Sequence, residues 1–196
     1  MKHALTLPEG YGLIAHIDLQ KNRKLMLWVN GMALVITLVL MIPVLFFIPF
    51  NTLWEKGETG KSLLILLLKL AVTLIAIVVY MILHELVHGV CMKAITKTKP
   101  HYGFTGMYAF AGSEAFFGKG AYILVALAPV ILWGIVLAVL TPLVPRAWFW
   151  VVYFVQITNL SGAAGDLYVT CRMLRMPKDI LVQDSGVAMK VYAKKS

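Results

Sequence analysis

Long apolar runs separated by short polar connections dominate the chain. The first, 28–50, holds 23 residues without a charge. As a helix rising 1.5 Å per residue, it is long enough to cross a hydrocarbon core of about 30 Å. Pro43 and Pro49 lie toward its end and predict a kink there. After a polar connection at 51–62, a second run covers 63–90 and carries Lys69 near its entrance, where a long stem lets the amine reach the interface. At roughly 40 Å this helix exceeds the core, so its last turns are expected at the membrane surface. Runs at 121–140 and 147–165 are joined by a few residues and are expected as antiparallel neighbours. Between the second and third runs, Tyr102, Phe104, Gly106, Tyr108 and Phe110 alternate with a period of two, predicting a strand with one aromatic face. The pattern predicts an all-α polytopic membrane protein. It has about four transmembrane helices and a short re-entrant or interfacial β-hairpin-like loop. It forms one membrane-embedded domain over 1–196, with a cytoplasmic tail at 166–196.

Composition narrows the class further. The chain is 60% hydrophobic and 14% charged, where soluble domains carry about 25% charged residues. A disordered protein, a nucleic-acid binder and a cytosolic enzyme are all disfavoured. The net charge of +9, from 18 Lys and Arg against 9 Asp and Glu, reads as a signature of membrane orientation and of contact with anionic lipid. With four spans, 14 of these cations fall on one side and 3 on the other, with Lys69 inside a span. That bias predicts an integral protein of the cell membrane with both termini in the cytoplasm. No signal peptide is expected, because the first long apolar run begins only near Trp28. Cys91 and Cys171 imply no disulfide framework.

Three ionisable residues close the second run, in His84-Glu85-Leu86-Val87-His88, an H-E-x-x-H motif. On a helix His84 and His88 project from one face one turn apart, where two imidazoles can hold one Zn²⁺. Glu85, beside that face, is placed as general base toward water. Ionisable groups at the end of an apolar span are costly unless they have partners or work. Catalytic zinc needs a third protein ligand and an open position. The extended motif with a third histidine is excluded, because Cys91 and Ala94 occupy its glycine and histidine positions. Asp166 fits by depth: it lies roughly 28 Å along the fourth run, and His84 lies roughly 32 Å along the second. Glu114 remains the alternative ligand, and His101 is also downstream. Asn159, Gly162 and Asp166 share one helix face, and Gly162, Ala163 and Gly165 permit close helix approach.

These segments together resemble the DUF3267 family of small zincin-type membrane peptidases. The resemblance runs over nearly the whole chain. It includes Lys-Asn-Arg-Lys at 21–24, the His84–His88 motif, the Gly- and aromatic-rich loop, Ala-Leu-Ala-Pro at 126–129 and Ser-Gly-Ala-Ala-Gly-Asp at 161–166. The layout is also similar to site-2-type intramembrane metalloproteases. Ala128-Pro129 stands where Gly-Pro is usual there, and Leu167 follows Asp166 where Gly is usual. The resemblance implies His84, His88 and Asp166 as zinc ligands, Glu85 as base, and Asn159 assisting the substrate carbonyl. Expected partners are the lipid bilayer and a peptide or membrane-protein substrate, with no nucleic acid. The competing reading is a non-catalytic membrane protein that binds metal structurally or as a sensor. A purely structural site would not need Glu85.

Overall fold

A computed structural model describes residues 3–18, 21–54, 59–106 and 108–194. Residues 55–58 of the first polar connection, with Lys2 and Lys195 of the charge tally, lie outside the described residues. The chain's described residues are mostly helical, at 65%. Its elements are β1 (His3–Ala4), β2 (Tyr11–Asp18), α1 (Arg23–Phe47), α2 (Thr59–Thr96), β3 (His101–Phe104), β4 (Ala109–Gly112), β5 (Phe116–Gly118), α3 (Lys119–Leu143), α4 (Phe149–Gly162), α5 (Ala164–Leu174), β6 (Ile180–Asp184) and β7 (Ala188–Lys194).

Three helices, α1, α2 and α3, are long and apolar enough to cross a membrane. None of the α1 residues is buried, as expected of a helix that is apolar all round and faces lipid. The segment expected as a fourth span behaves differently. Helix α4 has 14 residues, or about 21 Å. It stops at Ala163, whose backbone (φ −79, ψ 13) leaves the helical region, and α5 starts at Ala164. Gly162 and Gly165 flank this interruption, and glycine is a poor helix former. Asp166 therefore lies in the first turn of α5, not at the end of a continuous span.

The all-α expectation was too narrow. A five-stranded antiparallel sheet runs in the order β1-β5-β6-β7-β2. The segment read as a tail supplies α5 and the β6–β7 hairpin. In β7 burial follows a period of two, with Met189 and Val191 buried and Lys190 between them exposed, while Ile180, Leu181 and Val182 of β6 are all buried. The aromatic run, expected as one strand, is two. Gly106 turns it at φ +87, and β3 pairs back on β4 with His101 opposite Gly112 and Phe104 opposite Ala109. A left-handed backbone costs glycine nothing, so the alternation breaks there.

Two compact units make up the chain. One comprises 1–29, 82–129 and 165–196, and the other 30–81 and 130–164. In the first, Phe117, Val182 and Val191 of the sheet pack with Met92 of α2, Tyr122 and Val125 of α3, and Val169 and Met173 of α5. Full burial of each large side chain contributes about 1.5–3 kcal/mol, so this core fixes the C-terminal half of α2 against α3 and α5. In the second, Tyr80, Leu137 and Val155 form the core. There Lys69 is fully buried; its Nζ donates to the Leu53 carbonyl and lies over the Trp148 ring.

Candidate metal centre

The last turns of α2 present His84 and His88 side by side, with ring centroids 4.9 Å apart and edge to face. Both are buried. Ligand atoms of His84, Glu85 and His88 all lie within 4.8 Å of one another. From the first turn of α5, Asp166 brings Oδ2 to 3.3 Å from His84 Nε2 and 3.6 Å from His88 Nε2. The second separation is too long for a hydrogen bond. Donors about 2.0–2.1 Å from a tetrahedral zinc stand about 3.3–3.4 Å from each other. The separations of Asp166 Oδ2 from the two imidazole nitrogens are therefore close to those between neighbouring corners of a zinc site.

The orientation of His88 has a specific cause. Its Nδ1 lies 2.9 Å from the Val125 carbonyl. A carbonyl only accepts, so Nδ1 carries the hydrogen and donates it. Nε2 is then the atom turned to Asp166, where it holds either a second proton or a metal. Fixing one ring nitrogen on a carbonyl is how ligating histidines are oriented. Val125 is free to accept because the residue four positions on in α3 is Pro129, which has no N–H to offer.

Asp166 is also poised as an anion. Burial opposes its ionisation, but the two imidazoles lined up on it outweigh that and hold its carboxyl at about 2, below the ordinary 3.8. Its place in the first turn of α5 puts the charge at the positive end of the helix dipole. The side chain is still 26% exposed, which leaves one side of the cluster open. Glu85 is half-buried beside the pair, with the Ala111 backbone of β4 near its carboxylate. A turn of chain away, Tyr122 donates to Asp184 Oδ2 at 2.5 Å, and the Gly186 N–H donates to Oδ1. Burial nevertheless pushes the Asp184 carboxyl above its ordinary range.

The structure thus brings His84, Glu85, His88 and Asp166 together. Glu114 is exposed in the turn after β4, with its backbone carbonyl accepting from Gln183. His101 is exposed, and its Nε2 faces the Ser185 carbonyl. Asn159 belongs to the other unit. It is fully buried; Nδ2 donates to the Val130 carbonyl and Oδ1 accepts from the Tyr80 hydroxyl. A close helix approach falls at Gly134, and Gly162 makes none. A Cβ at Gly162 would meet only Thr158 of its own helix, whereas one at Gly134 would come 3.3 Å from Asn159 Nδ2.

Paired histidines one helical turn apart, a glutamate beside them and a facing carboxylate define a zincin-type centre, and the donor set fits zinc. Residues 77–181 match the family model DUF3267, described as "Putative zincin peptidase". The chain belongs to that family, and the metal its donors imply is most simply zinc. No curated protein and no solved structure matches the chain.

Proposed function

We propose that this protein is a membrane-embedded zinc metallopeptidase that hydrolyses peptide bonds of membrane or membrane-proximal proteins. The observation that carries the reading is the convergence of His84 Nε2 and His88 Nε2 on Asp166 Oδ2, at 3.3 Å and 3.6 Å, with Glu85 beside them. In this reading His84, His88 and Asp166 hold the metal. Zinc, when bound, supplies a Lewis acid that polarises the scissile carbonyl and acidifies water. Glu85 takes a proton from the attacking water as its oxygen bonds to the carbonyl carbon. It then returns that proton to the nitrogen as the C–N bond breaks. Asp166 and His88 stay fixed by α5 and by the Val125 carbonyl while this happens. The three apolar helices support residence in the bilayer. The pairing of β2 with β7 keeps both ends of the chain in one sheet, and the cation bias, which counts α4 as a return crossing, supports the cytoplasmic side of the cell membrane for that sheet and the site.

The test is Glu85→Gln, nearly isosteric and unable to accept the proton. Purified wild type and variant are analysed for bound metal and incubated with cell membranes whose new protein N-termini are then sequenced. Both should hold about one zinc, and the variant should cleave about 10²–10⁴-fold more slowly. Equal cleavage would remove Glu85 as the base. A wild type that holds zinc and cleaves nothing would favour the structural or sensor reading.

A further inference from the structure

Gly89 follows the second histidine directly and lies one turn after Glu85 on the same face of α2. The space that a side chain at 89 would fill is taken by Tyr102 of β3. A Cβ built there would stand 2.0 Å from the tyrosine hydroxyl and 2.5 Å from the ring carbon that bears it. No real Cβ survives such distances, so the glycine is the notch that seats this hydroxyl. Positions four apart on a helix have Cβ atoms about 5–6 Å from each other. The hydroxyl therefore sits within a side-chain length of the Glu85 carboxylate. Glu85 is felt at this distance: burial first and then its negative charge push the Tyr102 hydroxyl above its ordinary pKa. Tyr102 is 49% exposed, so the hydroxyl is seated on the helix but not enclosed.

We propose that Tyr102 is a catalytic hydrogen-bond donor, its hydroxyl placed over Gly89 to donate to the substrate carbonyl oxygen as that oxygen gains charge. The inference rests on the peptidase reading above. The oxyanion of amide hydrolysis needs donors fixed before the reaction, in addition to the metal. Asn159, which the resemblance puts forward for this task, is fully buried and has both ends of its amide engaged. Tyr102 is open to solvent, keeps its proton throughout and needs no rearrangement of α2. Its β-strand fixes the approach of the ring, with Tyr102 paired to Ala111 of β4.

The experiment measures affinity rather than turnover. The full chain, purified in detergent micelles and zinc-loaded, is titrated by calorimetry with a phosphonamidate peptide, whose tetrahedral phosphonyl oxygens stand for the oxyanion. Wild type, Tyr102→Phe, Gly89→Ala and the double variant are compared, and zinc content is measured in each. A hydrogen bond to a charged group is of a size that gives about 10- to 100-fold in affinity. Tyr102→Phe should weaken binding by that factor with zinc content unchanged. Gly89→Ala, a favourable change for the helix itself, should expel the tyrosine and weaken binding comparably. The double variant should then lose little more than either single one, because both remove the same contact. Tyr102→Phe binding as tightly as wild type, with zinc in place, overturns the role of Tyr102 alone. So does additive loss in the double variant, which would make Gly89 a separate effect. A wild type that takes up no zinc overturns the metallopeptidase reading, and this inference with it.

Discussion

Pro129→Ala separates the stability of helix α3 from the quality of the metal site. Proline inside a helix removes one backbone hydrogen bond and costs up to about 3 kcal/mol relative to alanine. Pro129 is fully buried in α3. Alanine restores an N–H that points at the Val125 carbonyl, which in the wild type takes its hydrogen bond from His88 Nδ1 at 2.9 Å. A carbonyl has two lone pairs, so the histidine keeps part of its bond but shares the acceptor. Loss of a partner that orients a metal-ligating histidine typically costs 10–100-fold in metal affinity. Sharing places the effect near the low end, about 10-fold. The metal-free variant should melt higher than wild type in detergent, while its zinc affinity, measured against a competing chelator, falls about 10-fold. The two quantities move in opposite directions, which a general packing defect does not produce. Unchanged zinc affinity in a folded Pro129→Ala would refute the argument that the missing N–H at 129 is what orients His88.

Asp166→Asn keeps the shape and removes the one formal negative charge among the three expected ligands; zinc affinity should fall about 10²–10³-fold, taking roughly a quarter of the binding free energy of a four-coordinate site as one ligand's share. Near-wild-type affinity in chelator competition would move the third ligand to Glu114 or His101. Cys171 is exposed on α5 and Cys91 is half-buried, so in Cys91→Ser an impermeant maleimide should label intact cells weakly and inside-out vesicles fully. Labelling of intact cells would overturn the cytoplasmic placement of the site.

The three helices long and apolar enough to cross a membrane were legible because they rest on single-segment properties: α1, α2 and α3 each announce themselves by length and scarcity of charge. The sheet was less legible. Tyr11–Asp18, Ile180–Asp184 and Ala188–Lys194 are short, and apart from the β6–β7 hairpin their partners lie far apart in the chain, as with Tyr11 against Lys194. Period-two alternation of Met189, Val191 and Ala193 with Lys190, Tyr192 and Lys194 was present to be read, but a basic composition masked it as a solvated tail. The interruption at Ala163 was also visible in principle, since Gly162 and Gly165 bracket it. Their small size was read instead as packing against another helix, a role the structure gives to Gly134.

The candidate site was legible to different depths for a physical reason. Two histidines and a glutamate within five residues act through helix periodicity alone, so their geometry follows from local sequence. Asp166 requires that a second helix arrive at the right height; the depth estimate put it near His84, where the structure has it, but through one continuous helix that the structure breaks at Ala163. Gly89 and Pro129 act through what they lack. One has no Cβ, so that the Tyr102 hydroxyl reaches the face of α2 beside Glu85. The other has no N–H, so that the Val125 carbonyl is left for His88. A missing group leaves no trace in composition or periodicity until its partner is known, and both partners come from elements distant in sequence. Substituting alanine at either position should improve the helix that contains it and weaken the centre beside it. Both results together would assign the two residues to the site and not to the fold.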